Sequence, residues 1–167
     1  MSRPLLVADS GPLIALAKLQ HLDLPQLLFQ NTWVPESVVS ECLTQAYLPD
    51  AIQIRDALAS GRLIQVPDES PSLVLQSFYL DPGETAALAV AEKHGAEVLI
   101  DERLGRRAAQ SLGLAVIGVC GLLLLGKRSG HIGHLAPLLD RLCGECGYYL
   151  SDDLRAAVFA AAGETRG

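Results

Sequence analysis

Near its start the chain reads Leu5-Leu6-Val7-Ala8-Asp9-Ser10-Gly11-Pro12-Leu13-Ile14, an apolar run that ends at a carboxylate. The part from Leu5 to Ala8 is short, continuous and apolar, which is typical of a strand buried on both faces. Gly11-Pro12 then predicts a helix start, because proline suits a first helical position whose N–H has no partner. Asp9 would therefore lie at the carboxyl edge of a parallel sheet, where ligands bind. A carboxylate there needs a cation, a helix N-terminus or water to offset its charge, and we predict that it faces a divalent metal shared with other acids.

Length and composition restrict the class of protein. The chain has 167 residues, of which 50% are hydrophobic, so we expect a single globular domain over residues 1–167 with a sizeable core. The net charge of −6 argues against a protein that coats nucleic acid through bulk positive charge, but not against an enzyme that takes a polyanion at a local patch with a bound metal. The apolar run near residues 122–125 is too short to span a membrane, and Met1-Ser2-Arg3 leads straight into a strand. A cytoplasmic protein without a signal peptide is the resulting prediction.

Short apolar runs alternate with helical patterns along the chain. Strands are predicted at residues 5–8, 32–34, 62–66, 97–100 and 114–117, with a candidate sixth, edge strand at 148–150. Helices are predicted at residues 13–19, 21–30, 36–46, 50–60, 81–94, 104–112, 122–128 and 135–142, and from Ser151 onward. Strands that alternate with helices predict a three-layer α/β/α sandwich with a central parallel sheet of about five strands.

Four acids share a position relative to these elements. Asp9 ends the first strand and Asp101 ends the fourth. Glu41 lies in the helix after the second strand, and Glu84 lies in the first turn of the alanine-rich helix. In a parallel sheet the ends of the first and fourth strands can be adjacent at a switch point, with the following helix starts at the same edge. Four carboxylates that converge there would repel one another unless a cation holds them, and oxygen ligands suit Mg²⁺ or Mn²⁺.

Each acid also has a structural interpretation, and the spacing alone leaves it open. Asp9 could bond its own backbone in a turn, and Asp101 could cap the helix that follows it. For Glu41 a solvated helix flank is the commoner explanation. Glu84 and Asp81 match a capping box, with Asp81 in place of the usual Ser or Thr. On local grounds, capping is favoured over metal binding for Glu84.

Four segments together resemble a known family. They are Val7-Ala8-Asp9-Ser10-Gly11-Pro12-Leu13-Ile14, Val34-Pro35-Glu36-Ser37-Val38-Val39-Ser40-Glu41, Asp81-Pro82-Gly83-Glu84 and Leu99-Ile100-Asp101-Glu102-Arg103-Leu104-Gly105-Arg106. Their order and spacing resemble the PIN-domain superfamily over residues 5 to about 160. The likeness is greatest to the PIN-like nucleic-acid-binding proteins of prokaryotes that are related to VapC toxins.

The resemblance implies an endoribonuclease that cleaves RNA phosphodiesters with a metal-activated water. Carried over by position, the catalytic acids and ligands of Mg²⁺ or Mn²⁺ fall on Asp9, Glu41, Glu84 and Asp101. Ser10 matches the small hydroxyl that supports the metal or its water in this family. Many family members have Asp where this chain has Glu84, whose longer side chain can hold the metal through water. The resemblance also implies a homodimer and, for a toxin, silencing by a small antitoxin protein.

Basic side chains would have to hold the RNA backbone. Arg103 and Arg106 follow Asp101 and are candidates, with a solvated helix face as the alternative. A different functional class also fits the sequence: a catalytically silent PIN-like module that binds RNA or a protein partner, which the acidic net charge and the capping interpretation of Glu84 support. A phosphotransfer domain of haloacid-dehalogenase or receiver type is disfavoured. The first requires a second Asp at position 11, which is Gly, and the second requires a Lys after the fifth strand, where none occurs.

Overall fold

The computed structural model describes residues 3–164, and its centre is a five-stranded parallel sheet. In chain order the strands are β1 (Leu5–Ala8), β2 (Asn31–Pro35), β3 (Ile64–Val66), β4 (Glu97–Leu99) and β5 (Val116–Ile117). They pair side by side in the order β3-β2-β1-β4-β5, and every pairing is parallel. Strands β2 and β3 therefore lie on one side of β1, and β4 and β5 lie on the other side. The carboxyl edge between β1 and β4 is therefore a topological switch point, where crevices for ligands open in such sheets.

Helices flank the sheet and complete the predicted three-layer α/β/α sandwich, which is confirmed. They are α1 (Ser10–Lys18), α2 (Leu24–Leu28), α3 (Glu36–Cys42), α4 (Pro49–Ala59), α5 (Leu73–Gln76), α6 (Pro82–His94), α7 (Arg103–Ser111), α8 (Val119–Arg128), α9 (Ala136–Cys146) and α10 (Asp152–Ala162). Within residues 3–164, none of these helices has the length and apolar character needed to cross a membrane.

The central strand is the most deeply buried part of the sheet. Leu6, Val7 and Ala8 are fully inaccessible to solvent, as expected for a strand paired on both edges and covered on both faces. Truncation of one such core leucine to alanine costs about 2–5 kcal/mol, so the end of β1 is held firmly in place. The backbone N–H of Asp9 donates to the carbonyl of Leu99 at 3.0 Å. This bond ties the first residue after β1 to the end of β4.

The structure differs from the sequence-based prediction in the kind of element at two segments, and in the bounds of others: the helix predicted at residues 36–46 is Glu36–Cys42, and the strand predicted at residues 114–117 is Val116–Ile117. The sixth strand predicted at residues 148–150 is wrong, because this stretch is an irregular connection between α9 and α10. Helix α5 lies in a stretch where the sequence analysis predicts neither a helix nor a strand. Its N-cap is Ser72, whose side chain accepts from the backbone N–H of Leu75 at 3.3 Å.

Candidate functional site

Asp9 is the central acid of the candidate site. It is the N-cap residue of α1, with extended backbone, but its side chain makes no capping hydrogen bond. The residue is only 4% exposed, and its Oδ1 atom has no hydrogen-bond partner among the described residues. Burial raises the pKa of Asp9 to about 7, and the negative charges of Asp81, Glu84 and Glu41 contribute, while the backbone N–H of Ser10 opposes the shift. Because a buried polar atom without a partner costs free energy, Oδ1 is an atom that a ligand would stabilise.

Glu41 reaches the same region from α3, and its carboxylate already has partners. The Ser10 hydroxyl donates to Oε2 at 2.7 Å, and the backbone N–H of Gly83 donates to Oε1 at 3.0 Å. Gly83 lies in the first turn of α6, where negative charge is favourable. A Cβ atom at Gly83 would lie 2.5 Å from Glu41 Oε1, so the carboxylate occupies the space that any other residue would need. Glu41 is therefore not a solvated flank residue.

Glu84 forms the capping box that its spacing predicts. The Asp81 side chain accepts from the backbone N–H of Glu84 at 2.7 Å, and Glu84 Oε2 accepts from the backbone N–H of Asp81 at 3.3 Å. Glu84 is nevertheless buried, with 7% exposure, and burial together with the Asp81 charge raises its pKa. The same carboxylate adds negative charge to the surroundings of Asp9. Capping and membership of the acidic site are thus compatible for this residue.

Asp101 follows β4 and is held by donors from the C-terminal third of the chain. Its carboxylate accepts from the Tyr148 hydroxyl at 2.7 Å and from the backbone N–H of Val119 at 3.2 Å. Val119 is the first residue of α8, so the positive end of this helix faces the acid. Burial raises the pKa of Asp101, whereas the Tyr148 and Val119 hydrogen bonds and the charge of Arg106 oppose the rise. Asp101 does not cap the helix that follows it, whose N-cap residue is Glu102.

Asp9 and Asp101 line one cavity of about 430 Å³ at the carboxyl edge of the sheet. Their electrostatic surroundings differ: Asp9 interacts with Glu41, Glu84 and Asp81, whereas Asp101 interacts with Tyr148 and Arg106. The structure therefore brings three of the four predicted acids into mutual interaction and places the fourth on the wall of the same cavity. Within residues 3–164, no three His, Cys, Asp or Glu side chains form a group that could hold a metal ion.

The three remaining predicted site residues have different surroundings. Ser10 contacts an acid directly, through its bond to Glu41. Arg106 lies near Asp101, and its guanidinium group is 3.3 Å from the place that a Cβ atom at Gly118 would occupy. Arg103 is the first residue of α7 and is exposed. Ser10 thus contacts an acid, and Arg106 is near enough for its charge to act on Asp101, although it is exposed as Arg103 is.

Tyr148 and the helix N-termini that hold Glu41 and Asp101 were not found from the sequence. Tyr148 and Asp101 are 47 positions apart, and a contact between such distant residues leaves no periodic pattern in the sequence. From the sequence, Tyr148 is equally compatible with an edge strand. A weaker signal was present in the glycines. Gly83 follows a proline at the start of an otherwise alanine-rich helix, and Gly118 precedes α8. A glycine at such a position is typical of a close approach by another group.

Comparisons with known proteins give a match to a family model and matches to solved structures. A PilT N-terminus domain protein from the hyperthermophilic archaeon Sulfolobus solfataricus P2 is similar with a TM-score of 0.49 and 17% sequence identity, over 78% of this chain and 95% of that chain. No curated protein matches the sequence. The family model described as a PIN domain matches residues 5–164, which confirms the resemblance noted from the sequence. The chain therefore belongs to the PIN domain family.

Proposed function

We propose that the protein is a metal-dependent endoribonuclease that cleaves RNA phosphodiesters with an activated water. PIN domains are in general nucleases, and the proposal adds the substrate and the role of the metal. The observation that carries it is the unpartnered Oδ1 of the buried Asp9, located at the switch point of the sheet on the wall of a cavity. A carboxylate in that position is stabilised by a cation.

The donor chemistry of the site fits Mg²⁺ or Mn²⁺. The four acids offer only carboxylate oxygens, which are the ligands that these hard cations prefer. Mg²⁺ usually keeps several waters and binds through one or two carboxylates together with substrate phosphates. A three-residue cage is therefore not required, and none is present among residues 3–164. Asp9 and Asp101, which share one cavity, would hold the ion, and Glu41 and Glu84 would contribute negative charge and hydrogen bonds to its waters.

When bound, the ion would supply a water of lowered pKa and neutralise charge on the phosphate. The chain itself positions the acids around that place. Ser10 and the Gly83 N–H fix the direction of the Glu41 carboxylate. Tyr148 does the same for Asp101. These donors fix the orientations of the Glu41 and Asp101 carboxylates before substrate binds, and such preorganised geometry favours catalysis.

Basic side chains near the acids are suited to the phosphate backbone. Lys18 is on the wall of the cavity that Asp9 and Asp101 line. Arg106 lies on the other side of Asp101, near the start of α8. Neutralisation of phosphates by such groups supplies affinity that falls with salt concentration. A protein of net charge −6 can therefore still bind RNA at this edge.

The direct test is cleavage of an end-labelled single-stranded RNA in Mn²⁺, in Mg²⁺ and in EDTA. We expect internal cuts with either metal and none in EDTA or with Asp9→Asn. Asp56→Asn, which changes an exposed acid on α4, is the matched control and should cleave normally. In a crystal soaked with Mn²⁺, anomalous density is expected within ligand distance of Asp9 and Asp101. Intact RNA in the presence of bound Mn²⁺ would contradict the nuclease.

One observation favours the alternative of a silent PIN-like module. Among the described residues, three of the four acids already accept hydrogen bonds within the chain: Glu41, Glu84 and Asp101. In that case RNA or a protein partner would bind without being cut, and Asp9→Asn would leave the affinity unchanged. Cleavage that requires Asp9 excludes this alternative.

The resemblance to VapC relatives supports a finer proposal: a cytoplasmic homodimer that acts as the toxin of a toxin–antitoxin pair. Expression of the wild-type chain, but not of Asp9→Asn, should then arrest growth. Co-expression of a small antitoxin should relieve the arrest, and sedimentation should give twice the mass of one chain. Normal growth at high expression of an active nuclease would contradict the toxin role alone.

A further inference from the structure

A second cavity, of about 440 Å³, lies next to the first. The two cavities share Asp101, Tyr148 and Tyr149 as lining residues. The irregular segment of residues 148–150 is therefore a wall between them, and Tyr148 fixes that wall to Asp101 through its hydroxyl. A chain that crosses this wall would pass from one cavity to the other directly beside the acids.

The second cavity combines apolar walls with one cationic group. Its apolar lining residues are Val116, Ile117, Leu124, Leu150, Leu154 and Val158. Arg106 is a basic side chain on its wall, close to Asp101. Its volume lies in the range of small-molecule sites, which are mostly apolar with a few well-placed polar groups. A flat ring with apolar faces and an anionic group at its end has the matching chemistry, and a nucleotide, with its base and its phosphate, is such a ligand.

Tyr149 stands at the boundary of the two cavities and is 88% exposed. A tyrosine with so little burial contributes little to the stability of the fold. Unpaired bases stack on such rings, and the stacking tolerates any base because every base has a π face. Tyr79 is exposed to a similar degree, at 95%, but it belongs to the connection before α6 and lines neither of these cavities. It therefore provides a matched control.

We propose that the second cavity is a subsite for one nucleotide of single-stranded RNA, with its base stacked on Tyr149 and its phosphate paired with Arg106. This inference rests on the proposed function, since it leads the strand across the wall into the first cavity, where the next phosphate meets the acids and Lys18. Duplex RNA does not fit the subsite, because its bases are paired and stacked on one another.

The subsite is tested by fluorescence anisotropy with a short labelled single-stranded RNA in EDTA, where no cleavage occurs. Tyr149→Ala should weaken the affinity about 10-fold, and Tyr149→Phe, which keeps the ring, should stay within about 2-fold of the wild type. Tyr79→Ala should also stay within about 2-fold. Leu154→Trp, which enlarges a side chain on the wall of the second cavity, should weaken binding as Tyr149→Ala does. Equal affinities of Tyr149→Ala and Tyr79→Ala would overturn the proposal.

A second measurement identifies the stacked base. A single abasic nucleotide is moved along the RNA, and one position should weaken binding to the wild type about 10-fold. With Tyr149→Ala the abasic nucleotide at that position should have no further effect, because the ring that it would have contacted is gone. The same abasic profile in both proteins would show that no base stacks on Tyr149.

The outcomes separate the subsite from the nuclease. If Mn²⁺ supports cleavage and Tyr149→Ala cleaves with an unchanged KM, the subsite is wrong and the nuclease stands. If the RNA is never cut but the abasic effect depends on Tyr149, the subsite stands and the nuclease fails. If the wild type binds no single-stranded RNA, the subsite is wrong.

Discussion

Asp9→Asn should change the stability of the protein in a way that depends on pH. The pKa of Asp9 is raised from 3.8 to about 7, first by burial and then by neighbouring acids. Between these values the folded protein holds a proton that the unfolded chain has released, so the free energy of unfolding falls as the pH rises through this window. This loss of unfolding free energy is absent below the pKa of the unfolded chain and complete above the pKa of the folded protein. At about 1.4 kcal/mol for each pKa unit, the full loss is roughly 4 kcal/mol, and asparagine, which does not ionise, avoids it.

The assay is urea unfolding followed by circular dichroism at about pH 5 and about pH 8, where the free energy is extrapolated linearly to water. Part of the loss has already occurred at the lower pH, so between these two conditions the variant should gain roughly 2–3 kcal/mol relative to the wild type. In a chain of this size the change corresponds to a shift of about 5–10 °C in Tm. Mg²⁺ at the higher pH should restore stability to the wild type only, because a ligand that binds the folded state stabilises it.

The control is Asp56→Asn, which replaces an exposed acid and should follow the pH dependence of the wild type. If the free energy of unfolding changed with pH equally in the wild type and in Asp9→Asn, the reasoning would be refuted. Asp9 would then ionise as easily in the folded protein as in the unfolded chain. The unpartnered Oδ1 atom would in that case have access to water, and its need for a cation would disappear.

Two further predictions concern the groups that position the other acids. Tyr148→Phe removes a donor to Asp101 and should cost about 1 kcal/mol in the free energy of unfolding. The affinity for Mn²⁺ and kcat should fall as well. An unchanged Mn²⁺ affinity, measured by calorimetry, would contradict the positioning role of Tyr148. Gly83→Ala should leave stability within about 1 kcal/mol, because the Glu41 carboxylate that it displaces ends a flexible side chain and alanine favours the helix. Cleavage should nevertheless fall about 10-fold or more, since the positioned acids act through such placement. The control is Gly144→Ala, in α9, where a Cβ atom would meet open space. It should stabilise the fold slightly and leave cleavage unchanged. Equal cleavage by the two alanine variants would contradict the role of Gly83.

The position of Asp9 was predictable because local and long-range physics agree at that point. A short apolar run can be a buried strand only if it is covered on both faces, which requires helices between strands and hence a parallel sheet. The residue that ends such a strand lies at the ligand-binding edge whatever the rest of the chain does. The same reasoning located Asp101 at the end of β4. The capping box of Asp81 and Glu84 was predictable because it depends on residues three positions apart.

The partners of the acids were not predictable, because they depend on contacts between distant segments. Gly83 lies 42 positions from Glu41, and Val119 lies 18 positions from Asp101. Both donors are backbone N–H groups, so the only trace in the sequence is a glycine that allows close approach, and a glycine does not identify which acid approaches it. Residues 148–150 are a candidate edge strand from the sequence, because tyrosine is enriched in strands. Propensity was overridden there by the hydrogen bond of Tyr148 and by the exposed position of Tyr149.

The distribution of helix N-termini explains why the need for a cation is concentrated on one atom. The start of α6 offers a backbone N–H to Glu41, and the start of α8 offers one to Asp101. Each of these acids thus has part of its charge offset by a helix dipole and a hydrogen bond. Asp9 lies at the start of α1, yet its Oδ1 receives no such bond, and three acids surround it. If Asp9 had only a structural role, a neutral N-cap residue at the same position would make the protein more stable. Proteins keep such uncompensated groups mainly where function needs them. The unfavourable burial of Asp9 is therefore itself an argument for a site.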